Sequence, residues 1–530
     1  MQTLTCHLKP YIQPFERILA LRELEAIAGG RPYAANGDGP HGTAYVVRTE
    51  RTAGYLARRL AYWEHVVDTR PIVTRQVRFE AASNGHGNGT AQGTLWDDET
   101  AVAALPNRRC LRFGPHGIHE YRGKFFPQLV RALLNWAELP RRSLVLDPMC
   151  GSGTTCVEAA ILGHRSIGLD MNPLSVLMTR AKCELLRCEP SDLASAYQAC
   201  SERLRLPEAG KPRWLASMAQ EDQDYLRSWF APEILRLLER IAAEVIRVPD
   251  AVARDLLLMS LSNVLRRVSW QKDDDLRVRR DAVFSPEGID PTAAFLEEAR
   301  RSVETVTSFL NQLSGQVVGP ARALEGDARR VEAILGNGHR SVAAVVTSPP
   351  YATALPYIDT DRLSLLFLKL LPRGDHRARE QLMIGNREIT DRARRHYWES
   401  FQRSRDVLPR SITSLVERIE RLNRRSDVGF RRRNMGALLG RYFLDMREVL
   451  YGLSRVVRRR APVFFVVGDN HTYAGGERTE IKTAQLLGEL AESLGCYVLE
   501  DSIPMEMLVS RDIFRRNATA SETTLCLRRS

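Results

Sequence analysis

The sequence predicts an α/β protein with a mostly parallel sheet, a large helical insertion and an N-terminal accessory region. Three observations support this fold class. Short apolar runs alternate with helical segments from Ser143 onward, which is typical of a parallel sheet. Residues 181–315 show helical periodicity without strand signals, and a turn-rich linker at residues 83–93 lies near the end of the first 110 residues. A chain of 530 residues is long enough for about three domains.

Residues 1–110 are predicted to form the accessory region. Apolar residues recur at helical spacing over 15–27, and again around Tyr55 to Val66, so we expect a helix in each segment. Neither segment carries a motif that indicates a function.

Residues 111–180 and 316–530 are predicted to form the main α/β domain, interrupted by the insertion over 181–315. We expect a helix from Thr154 that ends before Gly163, where glycine favours a helix stop. Within the insertion the clearest helices are 233–246 and 253–268. The predicted strands are 143–147, 166–170, 342–346 and 463–467, followed by short alternating runs at 496–503, 506–509 and 523–527.

Composition excludes several classes of protein. The chain is 44% hydrophobic and 26% charged, which is typical of a folded globular protein. Its nine cysteines are scattered and odd in number, so we expect neither a disulfide framework nor a metal site. The sequence lacks an apolar stretch long enough to span a bilayer and begins without an export signal, so we expect a cytoplasmic protein.

The charge distribution points to a polyanionic partner. The formal net charge is +12, from 76 basic and 64 acidic residues. Residues 373–433 contain 17 Arg, no Lys and nine Asp or Glu, which places +8 of that charge in one segment. Charge runs are often solvated helix faces, but this one follows a candidate catalytic loop, so we interpret it as a contact lobe. The candidate contacts are Arg392, Arg394, Arg395, Arg431, Arg432 and Arg433.

A glycine-rich turn follows the first predicted strand of the α/β domain. The sequence Asp147-Pro-Met-Cys-Gly-Ser-Gly-Thr-Thr155 leads from strand to helix, where glycines let a ligand lie against bare backbone. The turn lacks the lysine of a triphosphate-binding loop and the third glycine of a dinucleotide fingerprint. The next strand ends at Asp170, where an acidic side chain commonly meets ribose hydroxyls. A nucleoside without a polyphosphate therefore fits best.

A second turn, Ser348-Pro-Pro-Tyr351, follows the buried strand that ends near Val346. Two prolines stiffen the turn, leave carbonyl groups without neighbouring N–H donors and hold an aromatic ring in place. By itself this turn is more often a loop terminator with a packed Tyr. Beside the glycine-rich turn, at the same edge of a parallel sheet, it indicates a substrate site.

Together these motifs resemble the amino-group DNA methyltransferases, which transfer a methyl group from S-adenosylmethionine to an exocyclic base nitrogen. The family's cofactor loop reads Asp-Pro-Phe-x-Gly-Ser-Gly-Thr, and Met149 replaces the Phe here. Its catalytic loop reads Asp/Asn/Ser-Pro-Pro-Tyr/Phe, and the Ser form resembles the cytosine-N4 branch. The resemblance implies a Rossmann-like methyltransferase fold and covers roughly residues 111–180 and 320–530; it leaves the accessory region and the insertion unassigned.

The resemblance implies a set of cofactor-binding residues. The segment 119–129 is similar to the one that such enzymes fold over the methionine end of the cofactor, and Glu325-Gly-Asp-Ala328 is similar to the stretch whose acid meets the adenine amino group. The implied residues are Lys124, Phe125, Asp147, Pro148, Cys150, Gly151, Ser152, Gly153, Thr154, Asp170, Met171, Asp327 and Ala328.

The resemblance also implies a mechanism on double-stranded DNA. The Ser348 hydroxyl and the Pro349 carbonyl would accept hydrogens from the N4 amino group of a flipped cytosine, Pro350 would stiffen the loop, and Tyr351 would stack on the base. Alternatives are adenine-N6 methylation, an RNA amino group as target, and a catalytically silent methyltransferase fold that binds nucleic acid. A cognate restriction nuclease is a possible partner; the oligomeric state and recognised sequence stay open.

Overall fold

The computed structural model describes most of the chain. The described residues are 1–35, 43–84, 110, 112–121, 123, 126–207, 213–272, 279–280, 288–336, 340–352, 356–387, 389–424, 429–506 and 521–530, with Ser83, Asn84 and Arg431 described by their backbones alone. Lys124, Phe125, most of the predicted linker and all of the predicted run 506–509 except Glu506 lie outside them.

The N-terminal region contains a five-stranded antiparallel sheet in the order β2-β3-β1-β4-β5. The predicted helix over 15–27 is confirmed. The second prediction is wrong in its latter half: the helix ends at Arg59, and Trp63 begins a strand that pairs with the first strand. The elements are β1 (Gln2–Leu8), α1 (Pro14–Ala28), β2 (Tyr33–Ala34), β3 (Ala44–Thr49), α2 (Ala53–Arg59), β4 (Trp63–Val67), β5 (Pro71–Val73) and α3 (Arg75–Asn84).

The main domain begins with alternating helices and strands, as predicted. Leu144–Asp147 is buried throughout, which suits a central parallel strand covered on both faces. The elements are α4 (Pro127–Trp136), β6 (Leu144–Asp147), α5 (Thr154–Ile161), β7 (Arg165–Asp170) and α6 (Pro173–Leu185).

A helical block separates this part of the sheet from the rest. The predicted helices 233–246 and 253–268 are present, and the predicted boundary at residue 181 falls inside α6. The helices are α7 (Pro190–Arg205), α8 (Gln220–Arg227), α9 (Pro232–Ile246), α10 (Ala251–Arg267) and α11 (Pro291–Leu313). Among the described residues, no helix is both long and apolar enough to cross a membrane.

The sheet resumes after the block and continues to the C-terminus. The elements are β8 (Ala321–Glu325), α12 (Val331–Leu335), β9 (Val342–Thr347), α13 (Tyr357–Thr360), α14 (Arg362–Phe367), α15 (Arg373–Leu382), α16 (Asp391–Ser404), α17 (Arg410–Arg424), α18 (Phe430–Arg433), α19 (Met435–Val456), β10 (Pro462–Gly468), β11 (Asn470–Ala474), β12 (Glu477–Ile481), α20 (Thr483–Ser493), β13 (Tyr497–Glu506) and β14 (Ser521–Arg529). The Arg-rich segment thus forms α15 to α18, and α16 and α17 pack on α19.

The seven-stranded sheet has the order β13-β14-β10-β9-β6-β7-β8. The strands from β10 to β8 in this order are parallel, and β14 and β13 complete one edge in antiparallel pairing. Chain order reverses between the neighbours β6 and β9, which makes their carboxyl ends the topological switch point where ligands bind in such sheets. This Rossmann-like arrangement agrees with the predicted fold class.

The side chains of adjacent residues in the central strands lie on opposite faces of the sheet, because side-chain direction alternates along a strand. Val145, Val346 and Phe464 share a buried cluster with α1 and α4, so the N-terminal region covers one face. Leu146 and Val345 belong to the cluster that includes α19 and α20 on the other face. The sheet is therefore covered on both sides, and its carboxyl edge is the accessible place for a ligand.

Candidate active site

The glycine-rich turn between β6 and α5 has a backbone that only glycine adopts easily. Gly151 has φ +49° and Gly153 has φ +79°, both in the left-handed region. A Cβ on Gly151 would lie 2.9 Å from the Tyr121 ring, and one on Gly153 would lie 2.7 Å from the Thr179 hydroxyl oxygen. The missing side chains therefore leave the space that lets Tyr121 and a ligand approach the backbone.

Two carboxylates organise this turn. Asp170, at the end of β7, accepts hydrogen bonds of 2.8 Å from the backbone N–H groups of Gly151 and Asn172. Asp147 is fully buried at the end of β6 and accepts from the N–H of Met149 at 3.2 Å. Burial raises the pKa of each carboxyl group to about 6, from 3.8. Both groups are therefore ionised at neutral pH but sensitive to mild acid.

Two side chains of helix α6 hold the turn through hydrogen bonds to its backbone carbonyls. The buried Lys182 ammonium donates to the carbonyl of Ser152 at 2.9 Å, and the Thr179 hydroxyl donates to the carbonyl of Gly151 at 3.3 Å. Burial lowers the pKa of Lys182 to about 8. The motif analysis missed both residues, although their i, i+3 spacing on a helix following β7 places them on one face.

The second turn follows β9 and is held by hydrogen bonds to side chains of β14 and β11. The Tyr351 hydroxyl donates to the carboxylate of Glu522 on β14 at 2.5 Å, and the Asn470 side chain donates to the Ala352 carbonyl at 2.9 Å. Burial, with the Glu522 carboxylate next in effect, raises the pKa of Tyr351 above its usual range. Sequence reasoning missed Glu522, which lies 171 residues from Tyr351 along the chain.

The two turns meet in one cleft at the carboxyl edge of the sheet. Strands β6 and β9 are parallel neighbours, and the Thr155 hydroxyl donates to the Val346 carbonyl at 3.0 Å, which joins the start of α5 to the end of β9. The cleft has about 680 Å³ of atom-free space, open solvent included. Of the predicted residues, the cleft is lined by Pro148, Cys150, Gly151, Ser152, Thr154, Asp170, Met171, Asp327, Ala328, Ser348 and Pro350.

The other predicted residues support the cleft or lie outside the described part. Asp147 and Pro349 are buried in the turns, Gly153 is the residue before α5, and Tyr351 is directed to Glu522. The structure does not describe Lys124 or Phe125. Residues that the motifs did not predict complete the lining: Tyr121, Gly123, Met149, Gly326, Tyr357, Met383 and Ile384.

The acidic stretch that begins at the last residue of β8 is held by arginines. Arg329 pairs with Asp327 and with Asp445 of α19, at 2.6 and 2.9 Å. Arg379 of α15 pairs with Glu325 at 2.5 Å and donates to the Met171 carbonyl at 2.6 Å. Helix α15 therefore connects the Arg-rich segment to the cleft, and Met383 and Ile384 directly after it form part of the wall.

The predicted contact arginines have different surroundings. Arg392, Arg395, Arg432 and Arg433 are exposed. Arg394 is not: its guanidinium donates to Glu420 at 2.6 Å and to the Arg433 carbonyl at 3.1 Å. Arg394 therefore joins α16 to α17 and α18, and its guanidinium is engaged inside the protein. The Arg431 side chain is outside the described part.

One domain-family model matches part of the chain. Residues 119–203 match the domain family described as RMKL-like, methyltransferase domain (UPF0020). The matched range includes the glycine-rich turn, Asp170 and the supporting helix α6.

Two curated relatives extend the similarity. The chain is 23% identical over 425 residues to the type II methyltransferase M.BsoBI of Geobacillus stearothermophilus, covering 72% of this chain and 78% of that protein. It is 26% identical over 266 residues to the type II methyltransferase M.MvaI of Kocuria varians, covering 48% of this chain and 58% of that protein. Among solved structures, TrmN from Thermus thermophilus is 11% identical with a TM-score of 0.34, covering 100% of this chain and 99% of that one.

Proposed function

We propose that this chain methylates the N4 amino group of cytosine at specific sites in double-stranded DNA. The premise is that it belongs to the S-adenosylmethionine-dependent methyltransferase family that includes the type II DNA methyltransferases. The observation that carries the proposal is the shared cleft, in which Ser348 and Pro350 face the glycine-rich turn.

The cleft suits S-adenosylmethionine, the methyl donor of the family. A cofactor with a nucleoside but no polyphosphate requires a carboxylate for the ribose hydroxyls and close backbone approach, and Asp170 with the glycine turn supplies both. When bound, the cofactor supplies an electrophilic methyl group on a sulfonium. By resemblance, Asp327 would accept from the adenine amino group, and its orientation is held by Arg329.

The catalytic loop would prepare the nitrogen that receives the methyl group. The exocyclic amino group of cytosine is conjugated with its ring, so its lone pair is a poor nucleophile. The Ser348 hydroxyl oxygen and the Pro349 carbonyl would accept hydrogen bonds from the two N–H groups of this amino group. These bonds would align the nitrogen lone pair with the methyl carbon. S-adenosylmethionine held against the glycine-rich turn would supply the methyl group to this nitrogen and leave as S-adenosylhomocysteine, and the nitrogen would release one proton to solvent water. The half-exposed Ser348 lines the cleft, consistent with this role.

A duplex substrate implies that the target base leaves the helix, because a stacked base cannot reach a turn inside a cleft. The exposed Arg392, Arg395 and Arg432 are the proposed phosphate contacts, since the described residues offer none of these guanidinium groups a carboxylate partner. The positive charge of residues 373–433 supports a polyanionic substrate. Arg394 is omitted because Glu420 engages it.

Expression in a host that lacks DNA methylation tests the proposal. DNA from that host is digested to nucleosides and analysed by mass spectrometry, and long-read sequencing locates the modified sites. We expect N4-methylcytosine in one sequence context, and none with Ser348→Ala. If N6-methyladenine is found instead, the target is the N6 amino group of adenine and not the N4 amino group of cytosine. Methylation confined to RNA, or a chain that fails to bind S-adenosylhomocysteine in calorimetry, would overturn the proposal.

A further inference from the structure

A two-stranded hairpin, β11 with β12, begins beside the catalytic loop. Asn470 is the first residue of β11, and its side chain donates to the carbonyl of Ala352, directly after Tyr351, at 2.9 Å. At about 3.4 Å per residue, Tyr473 lies about 10 Å along the strand from this anchor. The hairpin therefore extends from the loop on which the target base would be held.

The hairpin is fixed to the Arg-rich segment on its buried face. Thr472, Ala474, Thr479 and Ile481 are buried there. At the tip, the Gly475 N–H donates to the side-chain oxygen of Asn423 at 3.1 Å, and the Asn423 amide donates to the Arg432 carbonyl at 2.7 Å. One buried asparagine of α17 thus fixes both the hairpin and α18 in place.

The opposite face of the hairpin combines aromatic rings with cations. Tyr473 is 44% exposed and lies across the ladder from Arg478, and the Arg432 guanidinium carbon lies 5.5 Å from the centre of its ring. His471 is also exposed and packs edge-on to Tyr473, with Glu480 opposite it. Within the described part of the chain, neither Arg432 nor Arg478 forms an ion pair with a carboxylate.

We propose that this face binds the DNA strand next to the target base, with Tyr473 against a base or sugar and Arg432 on a phosphate. The assignment rests on the proposed function, in that the substrate is DNA. Aromatic side chains stack on nucleobases of any sequence, and guanidinium groups match phosphate geometry. A rigidly held aromatic–cation pair near the catalytic loop offers both contacts, whereas an acidic or purely apolar partner would use one of them at most.

The test compares Tyr473→Ala, Tyr473→Phe and Arg432→Ala with Tyr451→Ala, a control on α19 whose wild-type side chain is 49% exposed. The full-length variants are titrated by fluorescence anisotropy with a mixed-sequence DNA duplex and with an RNA of the same sequence, at several salt concentrations. Methylation of unmodified genomic DNA and calorimetric binding of S-adenosylhomocysteine are measured in parallel.

Two signatures are expected. Tyr473→Ala weakens duplex binding on the order of tenfold at every salt concentration, because stacking involves no counterion, and Tyr473→Phe restores it. Arg432→Ala reduces the slope of log affinity against log salt by about one. S-adenosylhomocysteine affinity stays at the wild-type value in every variant, and Tyr451→Ala leaves duplex binding unchanged.

Two results would overturn the assignment in distinguishable ways. If the wild-type chain methylates genomic DNA and Tyr473→Ala binds the duplex as tightly as Tyr451→Ala does, the hairpin assignment alone fails. If the wild-type chain binds and methylates only RNA, the proposed DNA substrate fails and the hairpin assignment fails with it.

Discussion

Tyr351 of the Ser-Pro-Pro-Tyr turn donates a 2.5 Å hydrogen bond to Glu522, on a strand two positions across the sheet. The bond fixes the orientation of a ring that has been assigned, by resemblance, to stacking on the target base. The Glu522 carboxylate is itself mostly buried, and burial raises its pKa. Under the proposed function Glu522 is a positioning residue, because it would act on the reaction through Tyr351.

We expect Glu522→Ala and Tyr351→Phe each to lower kcat on genomic DNA about tenfold or more, since a hydrogen bond to a charged group contributes about 1.5–3 kcal/mol. The double variant should be no slower than the slower single variant, because both changes remove the same interaction. Initial rates of labelled methyl transfer give the values, with S-adenosylhomocysteine affinity as the control. Additive losses in the double variant would show that the two residues act separately.

Cofactor affinity should fall as the pH drops below about 6. Burial raises the pKa of Asp170 to about 6, and the ionised carboxylate is the better acceptor for ribose hydroxyls. Below that pH binding requires loss of a proton, so the affinity for S-adenosylhomocysteine declines by up to about tenfold per pH unit. Calorimetry over that range measures this slope. The slope should be shallower in Asp170→Asn, with the remainder from Asp147; an unchanged slope would contradict the role of Asp170.

Lys182 should make the folded protein more stable as the pH rises above 8. Its pKa is lowered to about 8 by burial, from 10.5, so the unfolded chain binds more protons between these values and stability increases with pH. Relative to Lys182→Met, the wild-type free energy of unfolding should increase by up to about 2 kcal/mol from pH 8 to pH 9.5. Urea unfolding at both pH values measures the difference. Parallel changes in the two proteins would contradict it.

Lys182→Met should also weaken cofactor binding. The substitution leaves the Ser152 carbonyl without the donor that now reaches it at 2.9 Å. An unsatisfied buried carbonyl costs about 1–3 kcal/mol, and part of this loss should appear as a several-fold weaker affinity for S-adenosylhomocysteine. Because methionine fills a similar volume, folding should be retained at neutral pH. Cofactor affinity equal to that of the wild type would show that the turn keeps its shape without the lysine.

The arginines of α16 should separate into two classes. Replacing Arg392 and Arg395 together by alanine should reduce the salt slope of duplex binding by about two, because each phosphate contact releases about one counterion, while thermal stability is unchanged. Arg394→Ala should instead destabilise folding by about 2 kcal/mol, since it removes the hydrogen bonds to Glu420 and the Arg433 carbonyl. Thermal melts and anisotropy titrations distinguish the classes; a normal melt for Arg394→Ala would contradict the assignment.

The sequence by itself determined the parallel core and the location of the glycine-rich turn. Strands β6, β9 and β10 are buried throughout and apolar in all but their last residues, and a glycine turn after a buried strand has few structural alternatives. Because the carboxyl ends of parallel neighbours share an edge, the meeting of Gly151 with Ser348 followed from local patterns alone. The N-terminal sheet could not be predicted from the sequence, because the pattern of Trp63–Val67 fits a helix. Only its pairing with β1 makes this segment a strand.

Only the tertiary structure decided which residues hold the site. Glu522 lies 171 residues beyond Tyr351 along the chain, and Asn423 joins Gly475 to Arg432 from the last turn of α17. Such contacts depend on which strands and helices become neighbours, which no local window contains. The same reason separates Arg394 from Arg395: the two are identical in charge and adjacent in sequence, and only the fold brings Glu420 to one of them.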